Sequence, residues 1–292
     1  MPDAAYLAQT LVNGLSVGCI YGLIGIGFCV IYNASGIVNF AQGAFVMLGG
    51  MVTFVLLTTV GLPIIVAGTL AVAAVAALGV VIERLVVRPL WHRNATMFVM
   101  ILATLAAQIV IERATLIAVG DQPKSIPVFT DLPPIRIAGV AIGYQIIWIV
   151  ATSLLLIGLL ALFFQKTLVG RAMRACSINR EAAALQGIPV SRMLALSFAL
   201  SAAIGAIAGI LLTPTQFTAF NVGTPFAISG FIAAIVGGFG RPFGAFLGGI
   251  ALGLAQALAV FTLGSGLKNV AALSVLLVFL FFRPSGILGA AK

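Results

Sequence analysis

The chain has 292 residues, of which 62% are hydrophobic and only 7% are charged, and its formal net charge is +9. Soluble globular chains are roughly one quarter charged, so this composition excludes a soluble enzyme or binding module and indicates an integral membrane protein. The basic balance does not indicate nucleic-acid binding, because no basic cluster is interleaved with aromatic residues for base stacking.

Hydrophobic segments predict an all-α, polytopic bundle in a single transmembrane domain that spans the whole chain. A spanning helix needs about 20 apolar residues, and a tilted or broken one needs fewer. On this basis we expect about eight or nine segments: 8–31, 37–59, 63–82, 96–119, 142–164, 193–213, 226–239, 243–263 and 268–282. The seventh is short and glycine-rich, so it is either re-entrant or merged with the eighth.

The distribution of basic residues predicts the orientation. Placing the loops 83–94 and 165–192 on one side of the membrane collects 11 of the 15 Lys and Arg residues there. Basic loops stay in the cytoplasm, so the N-terminus is predicted outside and the C-terminus inside. The 11 residues are Arg84, Arg88, Arg93, Lys166, Arg171, Arg174, Arg180, Arg192, Arg241, Arg283 and Lys292. The proline-rich loop 120–141 is then outside and is not expected to be helical.

Two polar, glycine-rich breaks interrupt the hydrophobic pattern, at 32–43 and 237–244. Both lead into a Leu-Gly-Gly sequence, at 48–50 and 247–249, which is a weak indication of an internal repeat. Irregular backbone inside a membrane is tolerated only where protein or a water-filled cavity satisfies it. Paired broken segments in the two halves of a transporter indicate the transport pathway.

The first break supplies the candidate pathway residues. Asn39 and Gln42 are polar side chains beside Phe40 and Gly43, in a stretch where the backbone is expected to be non-helical. We predict that this group of four residues lines the substrate pathway. The alternative, that Asn39 and Gln42 only satisfy the broken backbone, is equally compatible with the sequence.

No catalytic or metal-binding constellation is present in the sequence. It has no HExxH, no GxSxG and no phosphate-binding GxxxxGK[ST] loop, and its three cysteines lack metal-ligand spacing. We therefore expect no catalytic residues, no bound metal and no cofactor. Glu112 and Arg113 lie within the fourth segment, where reaching to the outer interface is the simpler interpretation. An ion-coupled carrier, which normally needs an ionisable residue deep in the membrane, stays an alternative.

The polar stretch 165–192 contains one short predicted helix. Asn179 is a good N-cap, residues 180–186 are mostly helix formers, and Gly187 suits the left-handed position after the last turn. Two helical turns are marginal alone in water. This helix is therefore expected to bind to a partner surface.

Several motifs resemble those of one family. The stretch Gly170 to Ile188, with EAAALQG at its centre, resembles the cytoplasmic motif of permeases from branched-chain amino-acid ABC importers, of the LivH type. Further similarities follow in order: IVNFAQG at 37–43, Glu83-Arg84 with Arg88-Pro89, GGFG at 237–240 and RPSGILG at 283–289. The family commonly has NFAHGE where this chain has Gln42 and Ala44, so the exact substrate stays open.

The resemblance implies a permease subunit of an ATP-driven importer for branched-chain or related hydrophobic amino acids in the bacterial inner membrane. It implies two cytoplasmic ATP-binding subunits, a second permease chain, expected to be a LivM-like paralogue, and a periplasmic substrate-binding protein. The residues expected to couple transport to the ATPase are Arg171, Asn179, Glu181, Ala182, Ala183 and Gly187. Permeases for urea or short amides remain an alternative, as does a non-transporting membrane scaffold.

Overall fold

The computed structural model describes residues 4–137, 139–283 and 286–288, and 79% of it is helical. The α-helices in this part of the chain are α1 (Ala4–Ser35), α2 (Gln42–Thr58), α3 (Ile64–Ile82), α4 (Arg88–His92), α5 (Met97–Val119), α6 (Tyr144–Lys166), α7 (Leu168–Ile178), α8 (Arg180–Leu185), α9 (Val190–Gln216), α10 (Gly223–Gly237), α11 (Pro242–Leu263) and α12 (Lys268–Phe282). A short hairpin, β1 (Ile135–Ile137) and β2 (Val140–Ile142), lies in the long loop before α6. Lys292, Pro284, Ser285 and Gly289, which carry part of the charge count and of the last motif, lie outside the described residues.

All nine predicted segments contain a helix, and the all-α membrane architecture is confirmed. Within the described ranges, seven continuous helical stretches are long and apolar enough to cross a membrane, while α2 and α10 are shorter. The seventh and eighth segments are separate helices, α10 and α11, joined by a turn at 238–241. Gly237 packs on Gly244 and Ala233 on Gly248, so the two helices run antiparallel.

The predicted loop 83–94 is wrong for most of its length, because the third span continues through it. A π-helical segment, Glu83–Val87, follows α3 directly and leads into α4. Pro89 has no N–H to donate to the preceding turn, and a π-helical turn is a common way to absorb such a defect within a helix. Glu83 and Arg88 form an ion pair across this π-helical segment, which the linear charge pattern does not reveal.

Helix α1 forms the centre of the bundle. In an apolar stretch of 18 residues of α1, 89% of the residues are buried, whereas only 17% are buried in such a stretch of α6. The close approach of α1 to α11 depends on glycine. A Cβ on Gly249 would collide with the backbone of Gly22, and a Cβ on Gly18 would lie 2.9 Å from the Gly249 carbonyl oxygen. Small residues at such crossings allow membrane helices to pack by direct backbone contact.

Two short helices, α2 and α10, each follow a non-helical stretch of six residues. Residues 36–41 are non-helical before α2, and residues 217–222 are non-helical before α10. The first turns of α2 and α10 then pack together, with Gly43 against Gly223. The second predicted break, 237–244, contains a turn at 238–241 between α10 and α11, whereas the non-helical stretch that leads to the contact with Gly43 is 217–222.

Candidate translocation and coupling sites

The first break is stabilised by side chains rather than by a regular helix. The Ile37 amide donates to Ser35 Oγ at 3.0 Å, the Ala41 amide to Asn39 Oδ1 at 3.1 Å, and the Phe40 amide to Thr104 Oγ1 on α5 at 3.2 Å. Backbone N–H groups inside a membrane have no water to bind, so each needs a hydrogen-bond acceptor from the protein. The break is thus a specifically built segment that is anchored to α5.

Asn39 and Gln42 have different environments, although both are fully buried. Gln42 Oε1 accepts from Ser201 Oγ at 2.6 Å, its Nε2 donates to the Ser201 carbonyl at 3.3 Å, and the side chain fills the space over Gly27. Asn39 uses only its oxygen, and its Nδ2 has no partner among the described residues. Asn39 therefore retains an unused donor, whereas Gln42 joins α1, α2 and α9.

The depth of the break in the membrane follows from its contact with α9, because Gln42 binds Ser201 on that helix. Ser201 lies 11 residues after Val190, the first residue of α9, which is about 16 Å along that helix. Gln42 and Gly43 therefore lie well inside the membrane, and so does Gly223 at the start of α10. Partly helical spans that meet within the bilayer have the geometry expected of a transport pathway.

A stripe of polar side chains on α5 runs along this region. Thr104, Gln108 and Glu112 recur at intervals of four residues, which places them on one face of the helix. Thr104 holds the break, and Gln108 and Glu112 both bind Thr224 in the first turn of α10. The Glu112 carboxylate accepts from Thr224 on α10, a contact that the linear sequence does not show. The four-residue spacing was visible in the sequence, and it is the signal that would have identified the stripe.

The short helix α8 has the predicted ends. Asn179 Oδ1 accepts from the Ala182 amide at 3.0 Å. At the other end Gly187 has φ of +78°, its amide donates to the Ala184 carbonyl, and the Ile188 amide donates to the Ala183 carbonyl. This pair of bonds is a Schellman motif, which needs a residue that tolerates the left-handed conformation.

One face of α8 packs on the membrane domain and the other is exposed. Ala183 is buried, so it anchors the helix and is not available to a partner, contrary to the expectation that it forms part of the docking surface. Glu181, Ala182 and Leu185 are exposed, with 87% of Leu185 accessible. Arg171 is also exposed, on the neighbouring α7.

Arg180 connects α8 to the break. Its guanidinium lies 4.6 Å from the centre of the Trp91 ring and borders Gly36, where a Cβ would lie 2.7 Å from Nη2. Burial lowers the pKa of this guanidinium from its ordinary value. A partly desolvated cation on an aromatic face is held more strongly than one in water, so Arg180 is a firm contact between α8 and the residues Trp91 and Gly36.

A buried ion pair lies beside this contact. Glu83 is completely buried, and Arg88 binds it with two bonds, Nε to Oε1 at 3.0 Å and Nη2 to Oε2 at 2.9 Å. Arg88 Nη2 also lies 3.4 Å from the Ser191 carbonyl at the start of α9. The pair thus links the end of the third span to the helix that follows α8.

A separate cavity lies away from the break. It has a volume of about 670 Å³, and its mainly apolar walls come from α1, α6, α7 and the start of α11. Its charged lining residues are Arg174 and Arg241, and no described carboxylate lines it. This cavity lacks the negative group that the ammonium of an amino acid would need.

Comparison with known proteins identifies the family. The model of the family "Branched-chain amino acid transport system / permease component" matches residues 10–282. The chain belongs to this family. As a branched-chain permease it is a transport subunit of ABC importers, and it is a multi-pass protein of the bacterial inner membrane. Importers of this family work with ATPase and substrate-binding partners.

Individual relatives cover nearly the whole permease. It is 36% identical to the high-affinity branched-chain amino acid transport system permease protein BraD of Pseudomonas aeruginosa, over 99% of this chain and 98% of BraD. It is 32% identical to LivH of Escherichia coli K12, over 97% and 96% of the two chains. A chain of the solved PsaBC–Fab complex from Streptococcus pneumoniae superposes with a TM-score of 0.55 at 12% identity, over 96% and 92% of the chains, which shows a shared fold alone.

Proposed function

We propose that this permease imports branched-chain amino acids and is driven by ATP hydrolysis in separate subunits. It works with two cytoplasmic ATP-binding subunits, a second, LivM-like permease chain and a periplasmic substrate-binding protein. The observation that carries the substrate class is the near full-length similarity to BraD and LivH, both of which are branched-chain amino acid permease proteins. The sequence has no phosphate-binding GxxxxGK[ST] loop, so the ATP-driven step is assigned to the partners.

The break at Asn39, Phe40, Gln42 and Gly43 forms part of this chain's wall of the pathway. Support comes from the unused Asn39 Nδ2 and from the contact of Gly43 with the start of α10 inside the membrane. Asn39 is the residue of this group that faces the substrate, since its Nδ2 has no partner among the described residues, whereas both polar atoms of the Gln42 side chain bind Ser201. Affinity resides mainly in the binding protein, because a strong site in a permease would retard release.

Helix α8 is the coupling element. Its exposed residues Glu181, Ala182 and Leu185 contact the ATPase, and Asn179 and Gly187 fix its two ends. Closure of the ATPase displaces α8, and Arg180 transmits this displacement to Trp91 and Gly36 at the beginning of the break. Small rigid-body shifts of one packed element are a common way to switch a transporter.

The orientation follows from the same assignment. We expect residues 83–94 and 165–192 to face the cytoplasm and 120–141 to face the periplasm. Single cysteines placed at residues 130 and 180 of an otherwise cysteine-free chain should react with a membrane-impermeant maleimide from opposite sides of the membrane. Reaction of both positions from the same side would contradict this orientation.

Reconstitution of the complete complex tests the function. Vesicles that contain both permease chains and ATP on the side of the ATPase subunits should take up radiolabelled leucine in the presence of the binding protein. Uptake should stop when ATP is depleted under clamped ion gradients, which separates this mechanism from an ion-coupled carrier. Uptake of urea or a short amide in preference to leucine would replace the proposed substrate class.

A further inference from the structure

A carboxylate without a cationic partner lies within the membrane-spanning part of α5. Glu112 is 15 residues after Met97 and seven before Val119, so it is about 10 Å from the C-terminal end of the helix. Glu112 Oε1 accepts from Thr224 Oγ1 at 2.7 Å and from Gln108 Nε2 at 3.1 Å. It forms no ion pair with any residue that the structure describes.

The adjacent Arg113 does not neutralise it. Consecutive residues on a helix point about 100° apart and do not face each other. Arg113 lies instead over the ring of Phe220, 5.9 Å from its centre. A carboxylate inside a bilayer is costly unless it faces a partner or a water-filled cavity, and such residues usually mark a substrate or ion pathway.

A second, independent observation concerns Gln108. This side chain is 4% exposed, and its Nε2 also donates to Thr224 Oγ1 at 2.7 Å. The contact with Glu112 at 3.1 Å fixes the orientation of the amide, because only its nitrogen can donate to a carboxylate oxygen. Among the residues that the structure describes, Gln108 Oε1 then has no partner, although it is fully buried. A buried acceptor without a donor is unfavourable, so its presence indicates a ligand that donates.

We propose that Glu112 and Gln108 bind the α-ammonium group of the amino acid as it crosses this permease. An ammonium group has three donors and one positive charge, which match the Glu112 carboxylate and the free Gln108 oxygen. The inference rests on the proposed function and assigns a part of the substrate to named atoms.

The position of the pair also explains how binding stays weak. Thr224 lies in the first turn of α10, a helix of 15 residues, and the N-terminal end of a helix carries partial positive charge. This charge and the Thr224 hydroxyl offset part of the negative charge on Glu112. The ammonium group is therefore attracted but readily released, as transport requires. Thr104 extends the same face of α5 to the break at Phe40, so the site adjoins the proposed pathway.

The decisive variant is Glu112→Gln, because it separates charge from structure. A glutamine oxygen can still accept from Thr224 and Gln108, so the link between α5 and α10 persists while the negative charge is lost. Hydrogen bonds to charged groups are worth more than neutral ones, so leucine uptake by the reconstituted complex should fall by about 10-fold or more. The yield of assembled complex and the leucine affinity of the isolated binding protein should stay unchanged.

Two matched variants complete the test. Thr224→Val removes the link to α10 but keeps the charge, and should lower uptake by no more than about threefold. Arg113→Gln removes a neighbouring charge outside the site and should leave uptake at the wild-type rate. Wild-type uptake with Glu112→Gln, or a larger loss with Thr224→Val than with Glu112→Gln, would overturn the inference and leave a purely structural link. Failure of the wild-type complex to import leucine would instead contradict the proposed function.

Discussion

Replacement of Arg88 by methionine should largely abolish accumulation of the permease in the membrane. Glu83 is completely buried, and Arg88 satisfies both of its oxygens. Removing one partner of a buried pair leaves an uncompensated charge and typically costs 3–5 kcal/mol. Because the pair lies in the π-helical turn that joins the third span to α4, its loss should also release the start of α9 at Ser191. The amount of folded chain is measured by size-exclusion chromatography of a fluorescent fusion.

The double variant Glu83→Gln with Arg88→Met should recover much of the folded protein. It removes the Glu83 carboxylate that Arg88→Met alone leaves unpaired. Exchanging a buried ion pair for neutral groups often changes the stability of a protein very little. Arg84→Met is the matched control, since Arg84 is exposed one residue from Glu83 and carries the same charge. If the single and double variants were lost to the same extent, the side-chain packing of Arg88 would matter and its charge would not.

Replacement of Gly187 by valine should uncouple transport from ATP hydrolysis. Gly187 has φ of +78°, a conformation that costs an L-residue roughly 1–2 kcal/mol and a β-branched residue more. A Cβ at Gly187 meets no atom within 4 Å, so the expected effect comes from the backbone alone. Relief of this strain would open the Schellman motif and tilt α8 on its partner. Leucine binding outside should persist, while stimulated ATP hydrolysis and uptake fall together, by about 10-fold or more.

Two control variants define the cause. Gly187→Asn should retain most of the uptake, because asparagine tolerates the left-handed conformation. Gly264→Val also places a β-branched residue at a positive φ, of +90°, with no atom within 4 Å of its Cβ, but it lies at the end of α11, far from α8 in the chain. It should leave coupling intact. Import at the wild-type rate by Gly187→Val, at normal membrane levels, would exclude α8 as the coupling element.

The two ends of helix α8 could be predicted from the sequence because the residues that fix them act on their neighbours in the chain. Asn179 and Gly187 act within four residues of themselves, through the amide of Ala182 and the carbonyl groups of Ala183 and Ala184. The spans were predictable for a similar reason, since hydrophobicity over a window of the chain determines insertion. The inward direction of Ala183 was not predictable, because it depends on the membrane domain against which α8 packs.

The features that the sequence did not reveal depend on distant partners. Gln42 hydrogen-bonds to Ser201, and Glu112 hydrogen-bonds to Thr224. The partner is more than 100 residues away in each case. The non-helical stretch 217–222 falls between the predicted segments 193–213 and 226–239, but its anchoring does not follow from the sequence, because Thr218 is held by paired backbone bonds to Lys124, at 2.7 and 2.8 Å. Only the structure brings these residues together.

The dependence of the first break on later residues also constrains how the protein is made. The chain enters the membrane from its N-terminus, so α1 and the stretch 36–41 are synthesised before Thr104 and long before Ser201. Until α5 arrives, the Phe40 amide lacks its partner, and until α9 arrives, Gln42 lacks both of its bonds. Unpaired polar groups are not tolerated in lipid. The second span should therefore remain in a protected, unfinished state during synthesis, and acquire its final form only when α9 is inserted beside it.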